Sequence, residues 1–294
     1  MSFERVCLIG FGEVGQILAA DLAKAGVKEI AVYDLKFSEP ESAPSRAAKS
    51  ASVRVAKSAS AAVEGAEAIF CAVTAAADVD AARSVVDGIG KGCFYLDLNS
   101  ASPGMKQEAA AIIDGAGGAY VEAAVMAAIG PKRIASPTLL GGPHAEAFLA
   151  RAKSLGVDMK VASPRVGVAS ATKMCRSVII KGVESLLTES MISARRYGVE
   201  KEVLGSLNDM LPVGDWEKVA QYMISRSLLH GVRRAEEMRE VARTVREAGV
   251  APLMSSACAQ RQDWSALHKS ALNDDLYAML DKLIADIDKN QSAS

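Results

Sequence analysis

Three glycines near the N-terminus have the spacing of a turn that can hold phosphate groups. Gly10, Gly12 and Gly15 follow an apolar run at residues 6–9 and open a pattern typical of a helix. Glycines at these positions allow a tight turn, let the backbone approach a pyrophosphate and let the helix pack closely on the strand. The pyrophosphate would then bind the free N–H groups at the positive end of the helix.

An acidic residue completes this pattern. Asp34 follows a second apolar run, residues 30–33, and lies roughly 20 residues after the last glycine. A carboxylate there accepts hydrogen bonds from the ribose hydroxyls of NAD and repels the 2′-phosphate of NADP. The order of strand, turn, helix, strand and acid therefore predicts a dinucleotide site, with NAD as the cofactor and NADP less favoured. The residues that we assign to this site are Gly10, Phe11, Gly12, Glu13, Val14, Gly15, Asp34, Val73 and Thr74.

A second group of residues that could do chemistry lies on a long helical pattern. Lys173 and Ser177 are four positions apart, so they share one face of that helix. The small residues before Lys173 would let the start of the helix approach another surface closely. Two interpretations of Lys173 are open at this point, a solvated surface lysine and a partly buried general acid/base.

Alternating strand and helix patterns position these residues in the first half of the chain. A chain that alternates in this way predicts a parallel, doubly wound Rossmann sheet, because each crossover helix has to cover one face. The strand patterns are at residues 6–9, 30–33, 53–55, 68–73, 93–97, 119–121 and 138–140, and helix patterns include residues 14–25, 77–88 and 105–115.

The alternation ends at residues 163–167, where Pro164 interrupts it, and only helix patterns follow. They cover residues 168–197, 203–210, 215–231, 232–248, 253–262 and 272–289, with Gly198 and Gly249 placed as helix stops. We therefore predict an α/β protein of two domains. A dinucleotide-binding Rossmann domain spans residues 1–165, and an all-helical substrate and dimerisation domain with a long central helix spans residues 166–294.

Composition excludes several classes of function. The net charge of −1 provides no basic surface for nucleic acid. No apolar run reaches the length of a membrane span, roughly 18 residues. The five cysteines are scattered without the spacing of a metal site or a disulfide framework. We expect a cytoplasmic protein that acts on a small molecule.

Three segments, in this order, resemble the β-hydroxyacid dehydrogenases: the glycine turn, the Asn99–Pro103 run after a strand, and residues 167–173. That family includes 3-hydroxyisobutyrate, tartronate-semialdehyde and 6-phosphogluconate dehydrogenases, and the resemblance covers nearly the whole chain. It implies that Lys173 is the catalytic lysine. It also implies that Asn99 and Ser100 stand where the family has a Ser-Thr pair near the nicotinamide and the substrate.

The chain departs from this family in the expected substrate pocket. Met126, Ala127 and Ala128 replace a Ser-Gly-Gly run whose backbone amides hold the substrate, and Ser177 replaces an asparagine. Residues 230–238 stand where the family has a Lys-Asp element. The chain therefore looks like a less characterised subgroup, similar to 6-phosphogluconate dehydrogenase but with a distinct C-terminal domain. The chemistry is expected to carry over better than the substrate.

One cluster on the last of these segments has two interpretations. His230, Arg233 and Arg234 lie beside acidic residues on a helix pattern and could form a solvated face. Alternatively, His230 and at least one arginine bind a carboxylate or phosphate of the substrate. They would then replace the anion contacts of the Ser-Gly-Gly run, which are lost at Met126, Ala127 and Ala128.

These observations together predict an NAD-dependent dehydrogenase of a small β-hydroxy acid or polyol acid, with Lys173 as general acid/base. An enzyme similar to imine reductases is one alternative, although that family typically lacks the lysine, and a non-catalytic NAD(P)-binding sensor is another. The helix pattern at residues 168–197 carries apolar residues on more than one face. This distribution predicts a homodimer or homotetramer, in which a second subunit covers the face that the chain itself leaves exposed.

Overall fold

The computed structural model describes residues 3–211 and 214–292. The chain divides after Met174 into two compact units, Met1–Met174 and Cys175–Ser294. This point lies inside the long helix that follows the predicted boundary at residue 165.

Within the described residues, eight strands of the first unit form one sheet in the order β3-β2-β1-β4-β5-β6-β7-β8. The strands are β1 (Arg5–Ile9), β2 (Glu29–Tyr33), β3 (Arg54–Val55), β4 (Ala68–Cys71), β5 (Phe94–Asp97), β6 (Ala119–Val125), β7 (Thr138–Gly141) and β8 (Met159–Ser163). The helices of this unit are α1 (Glu13–Lys24), α2 (Ala43–Ser50), α3 (Ala59–Val63), α4 (Asp78–Ser84), α5 (Pro103–Gly115), α6 (Ile129–Lys132) and α7 (Ala145–Ala152).

Strand residues alternate between the two faces of this sheet. Along β1, Val6 and Leu8 join one buried cluster, whereas Cys7 and Ile9 join the other. Both faces are apolar because helices cover both, which is the condition under which parallel strands form. The predicted doubly wound architecture is therefore confirmed.

Two details of the sheet correct the sequence prediction. Strand β7 runs antiparallel to β6, so the sheet is mostly parallel rather than entirely so. Strand β8, which pairs with β7 at the edge, was not predicted. Its residues alternate between partly buried and exposed, so they lack the continuous apolar run of a central strand.

The second unit is helical. Helix α8 (Val168–Tyr197) has the predicted bounds and leads into it. The other helices are α9 (Glu200–Met210), α10 (Trp216–Glu247), α11 (Leu253–Leu267) and α12 (Leu276–Ser292). Leu187 and Met191 of α8 pack in a core with residues of α10 and α12. Gly198 and Gly249 follow α8 and α10 with positive φ angles of 71° and 79°, which confirms their prediction as helix stops.

Helix α10 consists of two helical segments joined at a kink, which lies next to the predicted break between residues 231 and 232. The kink is at His230, whose φ and ψ of −121° and 16° are not helical. A Cβ atom on the next residue, Gly231, would lie 2.5 Å from the backbone oxygen of Gln262 in α11. The glycine is therefore required for the close approach of the two helices. In the described ranges of the chain, no helix is long and apolar enough to cross a membrane.

Candidate active site

The glycine turn joins β1 to α1 at the point where the strand order reverses, between β1 and β4. Gly10 has a φ of +93°, and a Cβ atom there would lie 2.3 Å from the oxygen of Ala72. A Cβ atom on Gly15 would lie 2.2 Å from the oxygen of Gly10. Both positions are therefore restricted to glycine by backbone contacts.

Gly12 differs from the other two glycines, because a Cβ atom there would have no heavy atom within 4 Å. Gly12 precedes α1, and no side chain caps this end of the helix. Open space next to uncapped helical N–H groups is the arrangement that binds a pyrophosphate. The turn therefore fits a dinucleotide at the reversal point, where ligands of open α/β sheets bind.

Asp34 links the end of β2 to this turn. One carboxylate oxygen accepts a hydrogen bond from the Phe11 N–H at 2.7 Å, and the other accepts from the Lys36 N–H at 2.8 Å. The Phe11 side chain is buried in the core, so only its backbone faces the turn. Glu13 is exposed and Val14 partly buried at the start of α1.

The loops after β4 and β5 contact each other through Asn99. Its side-chain oxygen accepts a hydrogen bond from the Val73 N–H at 2.7 Å, and its side-chain nitrogen donates to Asp78 at 2.7 Å. Asn99 is buried, whereas Thr74 in the facing loop is exposed. The structure thus brings together Val73 and Asn99, which the sequence assigned to the cofactor and to the substrate.

Lys173 contacts Ser100, the predicted substrate residue that follows Asn99. Its Nζ atom donates a hydrogen bond to Ser100 Oγ at 2.7 Å, and its side chain is partly buried. This geometry differs from that of a freely solvated surface lysine. Met126 and Ala127 follow β6 at the same edge, where the Met126 N–H donates to the Pro137 oxygen at 2.8 Å.

Glu122, which the sequence analysis did not identify as functional, fixes the start of α8. Its two carboxylate oxygens accept hydrogen bonds from the N–H groups of Gly167 and Ser170 at 2.7 and 2.6 Å. A carboxylate at the N-terminus of a helix satisfies orphan N–H groups and favours the helix dipole. Glu122 therefore positions the first turn of the helix that carries Lys173. Its signal in the sequence was a single acid within an apolar strand.

A buried charged cluster behind Asn99 was also missed. Lys106 of α5 contacts Asp97 at 2.6 Å and Asp78 at 3.8 Å, and the hydroxyl of Tyr120 donates to Asp97 at 2.7 Å. Burial raises the pKa of Asp78 to about 7, with Lys106 opposing the shift and Asp97 adding to it. Burial lowers the pKa of Lys106, but the two carboxylates outweigh it and the net direction is upward.

The remaining predicted substrate residues belong to the second unit. Ser177 is buried, and its hydroxyl accepts a hydrogen bond from Lys181 at 3.4 Å. The ring of His230 contacts Arg226 at 2.8 Å, next to the kink in α10. This contact joins His230 to an arginine that the sequence analysis did not assign to the site.

The two predicted arginines have different environments. Arg233 is exposed and pairs with Glu237 at 2.7 Å. Arg234 is buried and pairs with the buried Glu184, which also accepts a hydrogen bond from Gln262. Burial raises the pKa of Glu184, although Arg234 acts in the opposite direction.

Family models match both units. A model described as the NAD binding domain of 6-phosphogluconate dehydrogenase matches residues 5–155. A model described as a domain of unknown function, DUF1932, matches residues 194–265. The second match agrees with a C-terminal domain that is distinct from that of the characterised dehydrogenases.

Solved structures match over most of the chain. A conserved hypothetical protein from Sinorhizobium meliloti 1021 is 32% identical, with a TM-score of 0.75 over 95% of this chain and 96% of that one. The conserved protein MTH1747, described as structurally similar to 3-hydroxyacid dehydrogenases, is 30% identical, with a TM-score of 0.70 over 89% and 96%. The 3-hydroxyisobutyrate dehydrogenase of Mycobacterium tuberculosis shares the fold at 17% identity, with a TM-score of 0.73 over 96% and 99%.

Proposed function

Because the chain belongs to the family of the NAD binding domain of 6-phosphogluconate dehydrogenase, we propose that it oxidises a small β-hydroxy acid or polyol acid with NAD. The chain is an NAD(P)-dependent oxidoreductase of a less characterised subgroup of this family. The observation that supports a dehydrogenase with a catalytic lysine is the contact between Lys173 and Ser100. Ser100 follows β5, and the glycine turn follows β1, so both lie at the carboxyl ends of the strands.

Lys173 acts as the general acid/base in this proposal. In the direction of oxidation, its neutral amine accepts the proton of the substrate hydroxyl, and the hydride leaves the carbon that bears this hydroxyl. In reduction, its ammonium group returns that proton to the oxygen of the carbonyl. NAD, when bound, supplies the acceptor of the hydride. Ser100 accepts a hydrogen bond from Lys173 Nζ and thereby restricts the position of the amine.

The cofactor site is assigned to the glycine turn and to Asp34. The backbone at Gly12 receives the pyrophosphate, and the Asp34 carboxylate receives the adenosine ribose. Two backbone N–H groups hold this carboxylate in place. A fixed negative charge there disfavours the 2′-phosphate of NADP, so we propose a preference for NAD.

Replacement of Lys173 tests the proposal. We expect Lys173→Met to lower kcat by about 100-fold or more, because the proton acceptor is lost, and to leave NADH affinity nearly unchanged. The measurement is steady-state turnover of a panel of hydroxy acids, with NADH binding followed by fluorescence. Ser177→Ala should lower kcat much less. Lys160→Met changes an exposed lysine of the first unit and should leave kcat unchanged.

The panel also separates the alternatives. Near-normal turnover by Lys173→Met would contradict the role of the lysine. Tight NADH binding without turnover of any hydroxy acid by the wild type would favour a sensor. Reduction of cyclic imines in place of hydroxy acids would favour a function similar to imine reductases.

We also propose that the protein is a homodimer or a homotetramer, in which helix α8 contacts a second subunit. Ile179 and Leu186 of α8 are 68% and 59% exposed in the single chain, although Leu187 and Met191 of the same helix are buried. An exposed apolar stripe on one helix is typical of an interface between copies.

Light scattering at micromolar concentration should show a species larger than a monomer. Leu186→Glu should shift it towards the monomer, because a charge would be buried at the interface. Val55→Glu, on an exposed valine of β3, is the matched control and should have no effect. A monomeric wild type would contradict this proposal.

A further inference from the structure

The buried carboxylate Asp78 contacts one end of the Asn99 amide. Asp78 begins α4 and is fully buried. Its Oδ1 atom accepts a hydrogen bond from Asn99 Nδ2 at 2.7 Å, and the Cys71 sulfur lies 3.3 Å from the same nitrogen. Asn99 Oδ1 accepts from the Val73 N–H at 2.7 Å. Asn99 therefore bridges the start of α4 and the loop after β4.

These two partners dictate the direction of the amide. An asparagine side chain presents a donor on one side and an acceptor on the other. In the reversed orientation, the amide oxygen would face the carboxylate of Asp78 and the NH2 group would face the N–H of Val73. Both contacts would be repulsive in a buried site, so Asp78 selects the observed orientation.

The backbone of Asn99 leads directly to the candidate catalytic contact. The Asn99 N–H donates to Asp97 at 3.0 Å, and the next residue, Ser100, accepts the hydrogen bond from Lys173 at 2.7 Å. A shift of Asn99 would therefore move the hydroxyl that restricts the Lys173 amine.

The groups around Asp78 make its replacement feasible. Asp97 of β5, Lys106 of α5 and Tyr120 of β6 form the cluster that faces Asp78, with Tyr120 bonded to Asp97. The cluster holds two carboxylates for one ammonium group. Removing the charge of Asp78 leaves Asp97 and Lys106 as a balanced pair at 2.6 Å, so a neutral residue at this position is compatible with folding.

We propose that Asp78 is a positioning residue, which holds the Asn99 amide so that the Val73 N–H and the Ser100 hydroxyl remain in place for the cofactor and for Lys173. This inference rests on the proposed function. Asp78 does not touch the reacting atoms in this proposal and acts through Asn99.

Two neutral variants isolate the hydrogen bond from the charge. Asp78→Asn and Asp78→Leu remove the same charge, but only the asparagine offers an oxygen to Asn99 Nδ2. The pH profile of Lys173 acetylation, read by mass spectrometry with competitive acetic anhydride labelling, reports on the Lys173 environment without requiring turnover. We expect Asp78→Asn to retain the wild-type profile and Asp78→Leu to shift it. On a working substrate, Asp78→Leu should also lower kcat by about 10-fold with little change in KM.

The control is Asp80→Asn, which changes an exposed carboxylate of the same helix and should leave the profile unchanged. Identical profiles for Asp78→Leu and Asp78→Asn would overturn the proposal. If the wild type turns over no hydroxy acid, the proposed function fails, but the labelling profiles still decide the role of Asp78.

If Asp78→Leu does not fold, exchanging the side chains of Asp78 and Asn99 tests the proposal instead. Asn99→Asp alone places two carboxylates opposite each other, whereas Asp78→Asn combined with Asn99→Asp restores a donor facing an acceptor. The double variant should fold and return the Lys173 profile towards that of the wild type. A double variant that does not fold, or that resembles Asn99→Asp, would overturn the proposal.

Discussion

Both units bury charged side chains, but they use them differently. In the first unit, Asp78 and Asp97 accept hydrogen bonds from Asn99 in the loop after β5, and Lys106 pairs with both carboxylates. In the second unit, Glu184 of α8 pairs with Arg234 of α10. The first set therefore holds loops that carry candidate site residues, and the second joins one helix to another.

The charge balance of the two sets differs as well. The first set has two carboxylates for one ammonium group, and burial raises the pKa of Asp78. The second set has one carboxylate for one guanidinium group and is balanced. In our proposal, the first set positions residues of the candidate site, whereas the second set mainly stabilises the second unit.

The largest effect is expected from breaking the balanced pair. Arg234→Met should lower the free energy of unfolding by about 3–5 kcal/mol, because it leaves the Glu184 carboxylate buried without its partner. Denaturant unfolding followed by circular dichroism measures this change. Arg233→Met is the control, since Arg233 is 59% exposed, and should change stability by less than about 0.5 kcal/mol.

The same two variants test the proposed anion contact. If Arg233 binds the acid group of the substrate, Arg233→Met should raise KM and leave NADH affinity unchanged. Equal stability of the Arg233→Met and Arg234→Met variants would contradict the structural role of the second set. Unchanged kinetics in every folded arginine variant would contradict the anion contact.

We expect the preference for NAD over NADP to depend on residues of the first unit alone. Asp34→Asn removes the charge but keeps an oxygen for the Phe11 N–H, so we expect the ratio of NADPH to NADH dissociation constants to fall about 10-fold. Fluorescence titration with both reduced cofactors measures the ratio. Asp34→Leu also loses the hydrogen bonds to the turn and should weaken the binding of both cofactors. Tighter binding of NADPH than of NADH by the wild type would contradict the assigned preference.

The smallest effect concerns the pH dependence of stability. The pKa of Asp78 is raised from 3.8 to about 7 in the folded chain, so the folded state binds an extra proton between these values. The stability that this proton provides is complete below the unfolded pKa and is lost as pH rises towards 7.

Asp78→Asn should remove this contribution. From pH 5 to pH 8, the wild type is expected to lose on the order of 1 kcal/mol more stability than the variant. Denaturant titrations at the two pH values measure the difference. Parallel pH dependence in the two proteins would show that Asp78 does not titrate in this range and would weaken the distinction between the two sets.

The sequence predicted the parts of this protein that depend on local pattern. The glycine turn, the doubly wound architecture and the bounds of α8 follow from glycine spacing, apolar runs and helical periodicity, and the structure confirms them. Lys173 was identified through a resemblance of motifs. Its contact with Ser100 joins residues that are far apart in the chain.

Long-range pairing decided the features that local pattern did not predict. The antiparallel direction of β7 and the edge strand β8 depend on which strands become neighbours. The kink at His230 accompanies the close packing of α10 against α11 at Gly231. The two strand features have no signal that is local to their own segments, whereas the kink lies next to the break between residues 231 and 232 that the helix patterns predicted.

Within the site, too, local pattern predicts some residues, and long-range contacts decide the role of others. Local pattern is sufficient where backbone geometry alone selects a residue, as at Gly10 with its positive φ and Gly15 with its close backbone contact. It is insufficient for Glu122 and Asp78, because an acid in the sequence carries no sign of the partners it will meet. Burial makes an unsatisfied carboxylate costly, so these partners define its role. Only the tertiary structure brings Gly167 to Glu122 and Asn99 to Asp78.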